Sequence, residues 1–272
     1  NFLGTAYARM GQLGEAVPYF VQALEHLELA EDRWQTVNVR TNLASVHSSM
    51  NRPEEALALY RKTLETWREI GDRRGIAMTL LNSSLVLKDL GQLEEAASIA
   101  TEAVEEYRKI RDRSSLALSL CALTEIELCR GRYDRAAKLA EESLRLRREI
   151  GEPALQPLSL DLLGTARRNL GDAVAAWESH QEGLRLARED KSEMQEAFLL
   201  LALGRDAREE GKFKEAGLHT EKALIMGKRL HNRKLQSPAL EVLAATSLET
   251  GHVREAWSRA RDLEALSRVD AS

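Results

Sequence analysis

A six-residue phrase returns along this chain at a constant interval. It reads GQLEEA from Gly91 to Ala96 in its clearest form. Copies begin 40 residues apart, with no insertion or deletion, at Gly11, Asn51, Gly91, Gly131, Gly171, Gly211 and Gly251. A constant period of this length indicates units that cannot bury their apolar faces alone and that stack on their neighbours. The sequence therefore predicts a repeat protein whose length is set by the number of units.

Each unit contains two stretches in which apolar residues follow helical spacing. Ile76, Leu80 and Leu87 mark the first helix of one unit, and Leu93 and Ala100 mark its second helix. One position of the second helix is Ala in all seven copies, and one position of the first is always small, as expected where helices cross closely. The predicted fold class is all-α, a right-handed α-solenoid of antiparallel helix pairs with one incomplete and six full repeats.

Helix start and stop signals agree with this division. Ser192 with Gln195 predicts a capping box, and Gly71 and Gly151 predict left-handed C-caps. Good N-cap residues share one column before the first helix: Asp32, Asp72, Asp112, Ser192 and Asn232.

The whole of 1–272 is predicted to form a single solenoid domain. Residue 1 is Asn, and the chain begins halfway along what is the first helix in every other unit. We therefore expect the chain to be a fragment of a longer protein.

The motif Leu3-Gly4-Thr5-Ala6-Tyr7, followed by Ala16 and Phe20, resembles the tetratricopeptide repeat, whose pattern contains L-G-x2-Y and then A-x3-F. The resemblance covers the whole chain, although the unit is about six residues longer than the usual 34. HEAT repeats also have periods near 40, but the Ala column and the small residue after Leu favour the tetratricopeptide repeat. The long unit is also similar to the helical-repeat regions of bacterial signalling ATPases and transcriptional activators.

Composition and charge argue against several classes of function. A formal net charge of −4 argues against binding nucleic acid, which usually requires a basic excess. The longest apolar run, Ala197 to Leu203, is far shorter than the roughly 20 residues of a membrane-spanning helix. Cys121 and Cys129 are eight residues apart on one predicted helix, too far to pair there. A reduced, cytoplasmic setting is therefore expected.

The sequence carries no recognisable catalytic motif. It contains no nucleophile elbow, P-loop, glycine-rich dinucleotide turn or zinc-ligand spacing, and its six histidines are scattered. We therefore expect no enzymatic activity, no cofactor and no metal site.

The resemblance implies a concave groove lined by the first helix of each repeat. Asn42 and Asn82 occupy the position from which family members clamp an extended peptide backbone, although both side chains could simply be solvated. The arginines of the later repeats could hold carboxylates or phosphates, unless Asp161, Asp206, Glu209 and Glu210 neutralise them. The predicted partner-binding residues are Asn42, Ser45, Asn82, Lys88, Glu125, Thr165, Arg168, Arg205 and Arg208.

The predicted function is therefore a scaffold that binds another protein, a peptide or another domain of its parent chain through this groove. One alternative is a ligand- or peptide-sensing segment of a multidomain transcriptional activator or signalling ATPase. A second alternative is an architectural module that self-associates through its terminal helices.

Overall fold

A computed structural model describes residues 2–268, which are helical apart from short junctions. Each helix packs against the next within two compact units, Asn1–Gly131 and Arg132–Ser272. The helices are α1 Phe2–Arg9, α2 Leu13–Leu29, α3 Arg33–Ser49, α4 Pro53–Ile70, α5 Arg73–Asp89, α6 Leu93–Ile110, α7 Arg113–Cys129, α8 Tyr133–Ile150, α9 Gln156–Asn169, α10 Ala173–Glu189, α11 Glu193–Glu209, α12 Phe213–Arg229, α13 Arg233–Glu249 and α14 Val253–Arg268. The all-α architecture of antiparallel helix pairs predicted from the sequence is confirmed.

One residue in each junction between helices adopts a left-handed conformation, so such a residue occurs once every 20 residues. The next backbone N–H then bonds back into the finished helix; Gln92 N–H, for example, donates to the Leu87 carbonyl at 2.9 Å. The C-caps predicted at Gly71 and Gly151 are confirmed, with φ of 82° and 73°. Glycine fills eight of the left-handed positions, Gly11, Gly71, Gly91, Gly131, Gly151, Gly171, Gly211 and Gly251, and the others are Glu31, Asn51, Arg111, Lys191 and His231.

The predicted N-caps are largely confirmed. Asp32, Asp72, Asp112 and Asn232 each accept a hydrogen bond from the backbone N–H three residues later. Ser192 also occupies the N-cap position, but its side chain makes no capping hydrogen bond, so the prediction of a capping box with Gln195 is wrong.

Small and large side chains alternate where the two helices of a pair cross. The alanine column is buried, with Ala16 and Ala216 fully inaccessible. The always-small position of the first helix faces a residue 16 positions later: an added Cβ at Gly4 would lie 3.0 Å from Phe20, and one at Gly164 would lie 2.3 Å from Nε2 of His180. These positions are therefore small because the facing side chain occupies the space of a methyl group.

Within each unit, the first helices of successive pairs also contact one another. Contacts join α3 to α5 and α5 to α7 in the first unit, and α9 to α11 and α11 to α13 in the second. The second helices show no comparable contact within residues 2–131 or 132–268. Each unit thus has an inner face, which we define as the surface formed by its closely spaced first helices.

None of the helices described between residues 2 and 268 combines the length and the apolar character needed to cross a membrane.

The close crossing of α9 and α10, where Gly164 faces His180, gives a stability prediction. Gly164→Ala is expected to lower the free energy of unfolding by about 1–3 kcal/mol, because overpacking a filled site displaces the facing ring. In the control, Gly217→Ala, the added methyl meets no atom within 4 Å. That variant is expected to gain up to about 1 kcal/mol from higher helix propensity. Urea titrations followed by circular dichroism measure the free energy of unfolding of both variants. Equal stability of the two variants would contradict the packing argument.

Candidate functional site

Two asparagines lie one repeat apart on the inner face of the first unit. Asn42 is on α3 and Asn82 is on α5, and both side chains are half-buried. Neither amide makes a hydrogen bond to another residue within 2–268. Each therefore has a donor and an acceptor that no other residue between 2 and 268 uses.

Asn42 borders a cavity of about 270 Å³ in the first unit. The other lining residues come from the first two helix pairs and include Thr5, Arg9, Phe20 and Ser49. The cavity is open to solvent and has a mixed polar and apolar wall. One of the two unpaired amides thus faces a space that a side chain or peptide group could enter.

Ser45 contributes to packing as well as to the inner face. Its hydroxyl donates to the Thr41 carbonyl at 3.1 Å and lies 3.0 Å from the Tyr60 hydroxyl. Tyr60 is almost fully buried; burial raises its pKa, and the hydrogen bond with Ser45 opposes that rise. The hydrogen-bonding capacity of Ser45 is therefore largely used inside the unit.

Lys88 and Glu125 join neighbouring first helices. Nζ of Lys88 on α5 lies 2.6 Å from Oε2 of Glu125 on α7. Burial disfavours the ammonium group, but the nearby Glu125 carboxylate outweighs burial and raises the Lys88 pKa. These two predicted groove residues therefore form a bridge across the inner face, and neither charge is free.

The three arginines of the second inner face differ in their partners. Arg168 lies 3.1 Å from Asp206 and 3.5 Å from Glu209, and Arg208 lies 2.8 Å from Glu249. Arg168 is therefore neutralised by two of the acids that the sequence analysis named, whereas Arg208 is neutralised by Glu249, which it did not name. Arg205 is half-buried and makes no hydrogen bond or ion pair within residues 2–268.

Thr165 lies on α9 at the repeat position that Arg205 occupies on α11. Its side chain is half-buried, and its hydroxyl makes no hydrogen bond to another residue in the described part of the chain. The structure therefore leaves one neutral and one cationic polar group at equivalent positions of neighbouring first helices.

A buried polar network supports this face, and the sequence analysis missed it. His180 is fully buried, with Nδ1 2.5 Å from Oδ2 of Asp206 and Nε2 3.2 Å from the Asp161 carbonyl oxygen. Because Asp206 also binds Arg168, the network links α9, α10 and α11. The sequence did carry a signal for it. His180 stands at the repeat position that Phe20 and Tyr60 occupy in earlier units, and the residue that faces it, 16 positions earlier, is Gly164.

In the chain from residue 2 to residue 268, no group of three or more His, Cys, Asp or Glu side chains is arranged to hold a metal ion.

Two family models match parts of the chain. The model described as tetratricopeptide repeat matches residues 1–69 and 75–149. The model described as anaphase-promoting complex subunit 5 matches residues 126–204. No curated protein sequence matches the chain significantly.

Several solved structures have a similar fold. The apo form of the quorum sensor NprR from B. thuringiensis is 18% identical with a TM-score of 0.79, over 97% of this chain and 74% of that one. A Rap protein complexed with Competence and Sporulation Factor is 16% identical with a TM-score of 0.76, over 99% of this chain and 74% of that one.

A signal transduction ATPase with numerous domains, or STAND protein, with a tetratricopeptide repeat sensor from Pyrococcus horikoshii is also similar. It is 17% identical with a TM-score of 0.69, and the match covers 95% of this chain but 39% of that one. At these identities the similarity establishes the fold alone.

The bridge between α5 and α7 gives a pH-dependent prediction. Glu125→Gln is expected to lower the free energy of unfolding by roughly 0.5–1 kcal/mol at neutral pH, since both partners are partly exposed to solvent. The Lys88 pKa is raised on folding, so this contribution is complete below the unfolded-state pKa and is lost as the pH rises through the folded-state pKa.

Urea titrations at neutral and strongly alkaline pH measure the difference between wild type and variant. Glu102→Gln is the control, because Glu102 pairs with Arg68 at 3.1 Å and arginine keeps its charge at alkaline pH. The difference in the free energy of unfolding between the wild type and Glu125→Gln should shrink at alkaline pH. The corresponding difference for Glu102→Gln should not shrink. An advantage over Glu125→Gln that does not change with pH would contradict this assignment.

Proposed function

Because the chain belongs to the tetratricopeptide repeat family, we propose that it is a non-catalytic scaffold that binds an extended peptide segment of a partner on the inner faces of its units. The family resemblance read from Leu3–Tyr7 and its following Ala16 and Phe20 is confirmed by the family match. The observation that carries the proposed function concerns Asn42 and Asn82 on adjacent first helices. Their side-chain amides make no hydrogen bond to another residue within 2–268.

The spacing of these two amides suits a peptide backbone. Packed helices lie about 8–10 Å apart, and an extended chain rises about 3.3 Å per residue. Asn42 and Asn82 on adjacent first helices would therefore contact peptide groups about three residues apart. An amide side chain can donate to a carbonyl and accept from an N–H, so it recognises backbone independently of sequence.

Similar structures support a binding role. One is a Rap protein complexed with Competence and Sporulation Factor, and another is a quorum sensor. Part of the chain also matches a subunit of a multiprotein complex. All three are described as binding, sensing or assembling, which is the class of function proposed here.

A sensing role within a larger regulator is the second candidate. It is favoured because one similar structure is a quorum sensor and another carries a tetratricopeptide repeat sensor. In this case the same inner faces would receive the signal, and a nucleotide-binding or DNA-binding domain elsewhere in the parent protein would read it. The presence of such a domain would distinguish the sensor from a simple scaffold.

The proposed setting is the cytoplasm. Cys121 is buried and Cys129 is exposed, and neither forms a disulfide bond within residues 2–268. Cysteines without a disulfide bond are the usual state in a reducing compartment.

The two amides give the test of the proposed function. A peptide selected on the full chain from a random-peptide display library should bind Asn42→Ala and Asn82→Ala about tenfold more weakly, because each loses roughly one hydrogen bond to the ligand. The double variant should lose nearly all binding, measured by fluorescence anisotropy, while its circular dichroism stays that of the wild type. The control is Gln22→Ala, which removes an exposed amide from the second helix α2. Unchanged affinity in the double variant would refute peptide clamping by these residues.

A further inference from the structure

The second helix α12 exposes two apolar side chains that lie on one line along its surface. Leu218 is 66% exposed and Ile225 is 63% exposed. Seven residues are about two turns of helix, so the two side chains protrude from the same side about 10 Å apart. Single exposed apolar residues are ordinary on a protein surface, but an aligned pair offers a partner two adjacent points of contact.

The equivalent positions of earlier second helices are exposed and mostly polar or charged. The position of Leu218 holds Lys138 on α8 and Glu178 on α10. The position of Ile225 is charged in all five earlier copies: Glu25, Glu65, Glu105, Arg145 and Arg185. The core of the repeat therefore does not require an apolar residue at either place, and α12 departs from the repeat on its solvent-facing side.

Two lysines flank this apolar pair. Lys214 precedes Leu218 by one turn, and Lys222 lies between Leu218 and Ile225. Because successive residues are about 100° apart, these four residues fall within an arc of about 80°. We define Lys214, Leu218, Lys222 and Ile225 as the α12 stripe. Neither lysine makes an ion pair with another residue between 2 and 268.

The charge at the position of Lys222 is reversed relative to the preceding second helix. On α10 this position is Glu182, which lies 2.9 Å from Arg148 of α8. On α12 the acid is replaced by Lys222, and Arg188 of α10 instead lies 2.8 Å from Glu196 of α11. The replacement leaves a positive charge on the surface where the earlier pair of helices has a closed ion pair.

The carboxylates of α12 do not neutralise the stripe. The helix carries four Lys or Arg residues and two Glu residues. Glu221 lies beside the stripe but pairs with Arg259 of α14, and Glu215 lies 3.8 Å from Nε2 of His219. The helix is therefore positively charged in a chain whose formal net charge is −4. A partner that complements it in charge is acidic.

Gly217 leaves space beside the stripe. A Cβ added to this residue, which lies inside α12, would meet no atom within 4 Å. The same repeat position on α10 holds Trp177, whose ring lies 6.1 Å from that of His219 and 5.6 Å from Nζ of Lys212. A glycine inside a helix lowers the stability of the helix, and no neighbouring side chain requires one here. The open space next to Leu218 allows the backbone of a packed helix to approach α12 closely.

We propose that the α12 stripe docks an acidic amphipathic helix of a partner protein. Apolar residues seven positions apart on that helix pack against Leu218 and Ile225, and its carboxylates lie beside Lys214 and Lys222. A helix fits because its own side chains at this separation share one side, as those of the stripe do. In an extended segment, side chains about 10 Å apart are three residues apart and point to opposite faces. The stripe is on a second helix, so this inference goes beyond the proposed use of the inner faces.

A membrane surface also offers negative charge, but it suits a broader apolar face. Helices that lie on a membrane bury a whole apolar side in the lipid. The apolar side of α12 packs instead in the protein core, where Ala223 and Leu224 are buried. The stripe itself contributes two apolar side chains with lysines around them, which favours a helix as the ligand.

Three labelled peptides of about 18 residues, or five turns of helix, test the proposal by fluorescence anisotropy with the full chain. All have blocked termini. The first has Leu at helical spacing and Glu and Ala elsewhere, the second has Lys in place of each Glu, and the third contains the residues of the first in an order without helical spacing. The first peptide should bind about tenfold more tightly than either of the others, and added salt should weaken its binding.

The double variant Leu218→Lys with Ile225→Arg tests the apolar contacts. Helix α8 carries Lys138 and Arg145 at these positions, so the substitutions are compatible with the repeat. The acidic helical peptide should bind this variant about tenfold more weakly, because two buried anchors are lost, although two positive charges are gained. Circular dichroism should remain that of the wild type.

The double variant Lys214→Gln with Lys222→Gln tests the charges. It should bind the acidic helical peptide roughly three- to tenfold more weakly and with a smaller dependence on salt. Leu29→Lys is the control for the loss of an exposed leucine, because Leu29 is 84% exposed on α2, and it should bind as the wild type does. The variant with alanine at both Asn42 and Asn82 should also bind as the wild type does, which separates this surface from the inner face.

Equal binding of the acidic and basic peptides, or of the helical and shuffled acidic peptides, would overturn the proposal. Unchanged or tighter binding to Leu218→Lys with Ile225→Arg would overturn it as well, because the contact would then be electrostatic alone. Loss of binding in the double variant of Asn42 and Asn82 would place the peptide on the inner face instead. Vesicles of phosphatidylglycerol and phosphatidylcholine are tested in parallel. If the chain binds these vesicles through the stripe and does not bind the acidic helical peptide, the stripe belongs to a lipid surface and the proposal fails.

Discussion

A left-handed residue at every twentieth position is the constraint on which the structure depends. Each junction has only a few residues, so consecutive helices cannot move apart and must reverse direction and pack. Glycine meets this demand without strain at eight junctions, and a side chain such as that of Asn51 tolerates it at others. Because the unit length is constant at 40 residues, each helix returns to the same rotation in the next unit. Residues 40 positions apart consequently occupy equivalent places on neighbouring helix pairs.

That equivalence determines where polar groups gather. The small-against-large crossings bring the two helices of a pair close together, and contacts between first helices then create an inner face in each unit. Most charged groups on these faces satisfy one another, as Lys88 does with Glu125 and Arg168 does with Asp206. Within residues 2–268, the predicted groove residues whose side chains make no hydrogen bond or ion pair are Asn42, Asn82, Thr165 and Arg205. The proposed function rests on these exceptions and not on the overall charge of the chain.

Much of the fold could be predicted from the sequence because residues 40 positions apart have the same structural role in each unit. The alanine column, the Asp N-caps and the C-caps at Gly71 and Gly151 are local signals, and each depends on only a few neighbouring atoms. The pairing of the arginines could not be predicted. Arg168 meets an acid 38 residues away, and both charge signs occur near it in sequence, so the partner depends on helix rotation and side-chain rotamers. His180 was missed for the same reason, since its role becomes visible only when α9 brings Gly164 and α11 brings Asp206 to it.

The most direct test of the central claim is hydrogen–deuterium exchange of the full chain with and without a library-selected peptide. If the inner faces bind the ligand, added protection should concentrate on first helices, namely α3 and α5 or α9 and α11, at ligand concentrations well above the dissociation constant. The second helices α4, α6, α10 and α12 should exchange as in the free chain. Protection confined to the second helices or to the junctions would contradict the account, because binding would then occur on a surface that the repeat does not equip with open amide and guanidinium groups.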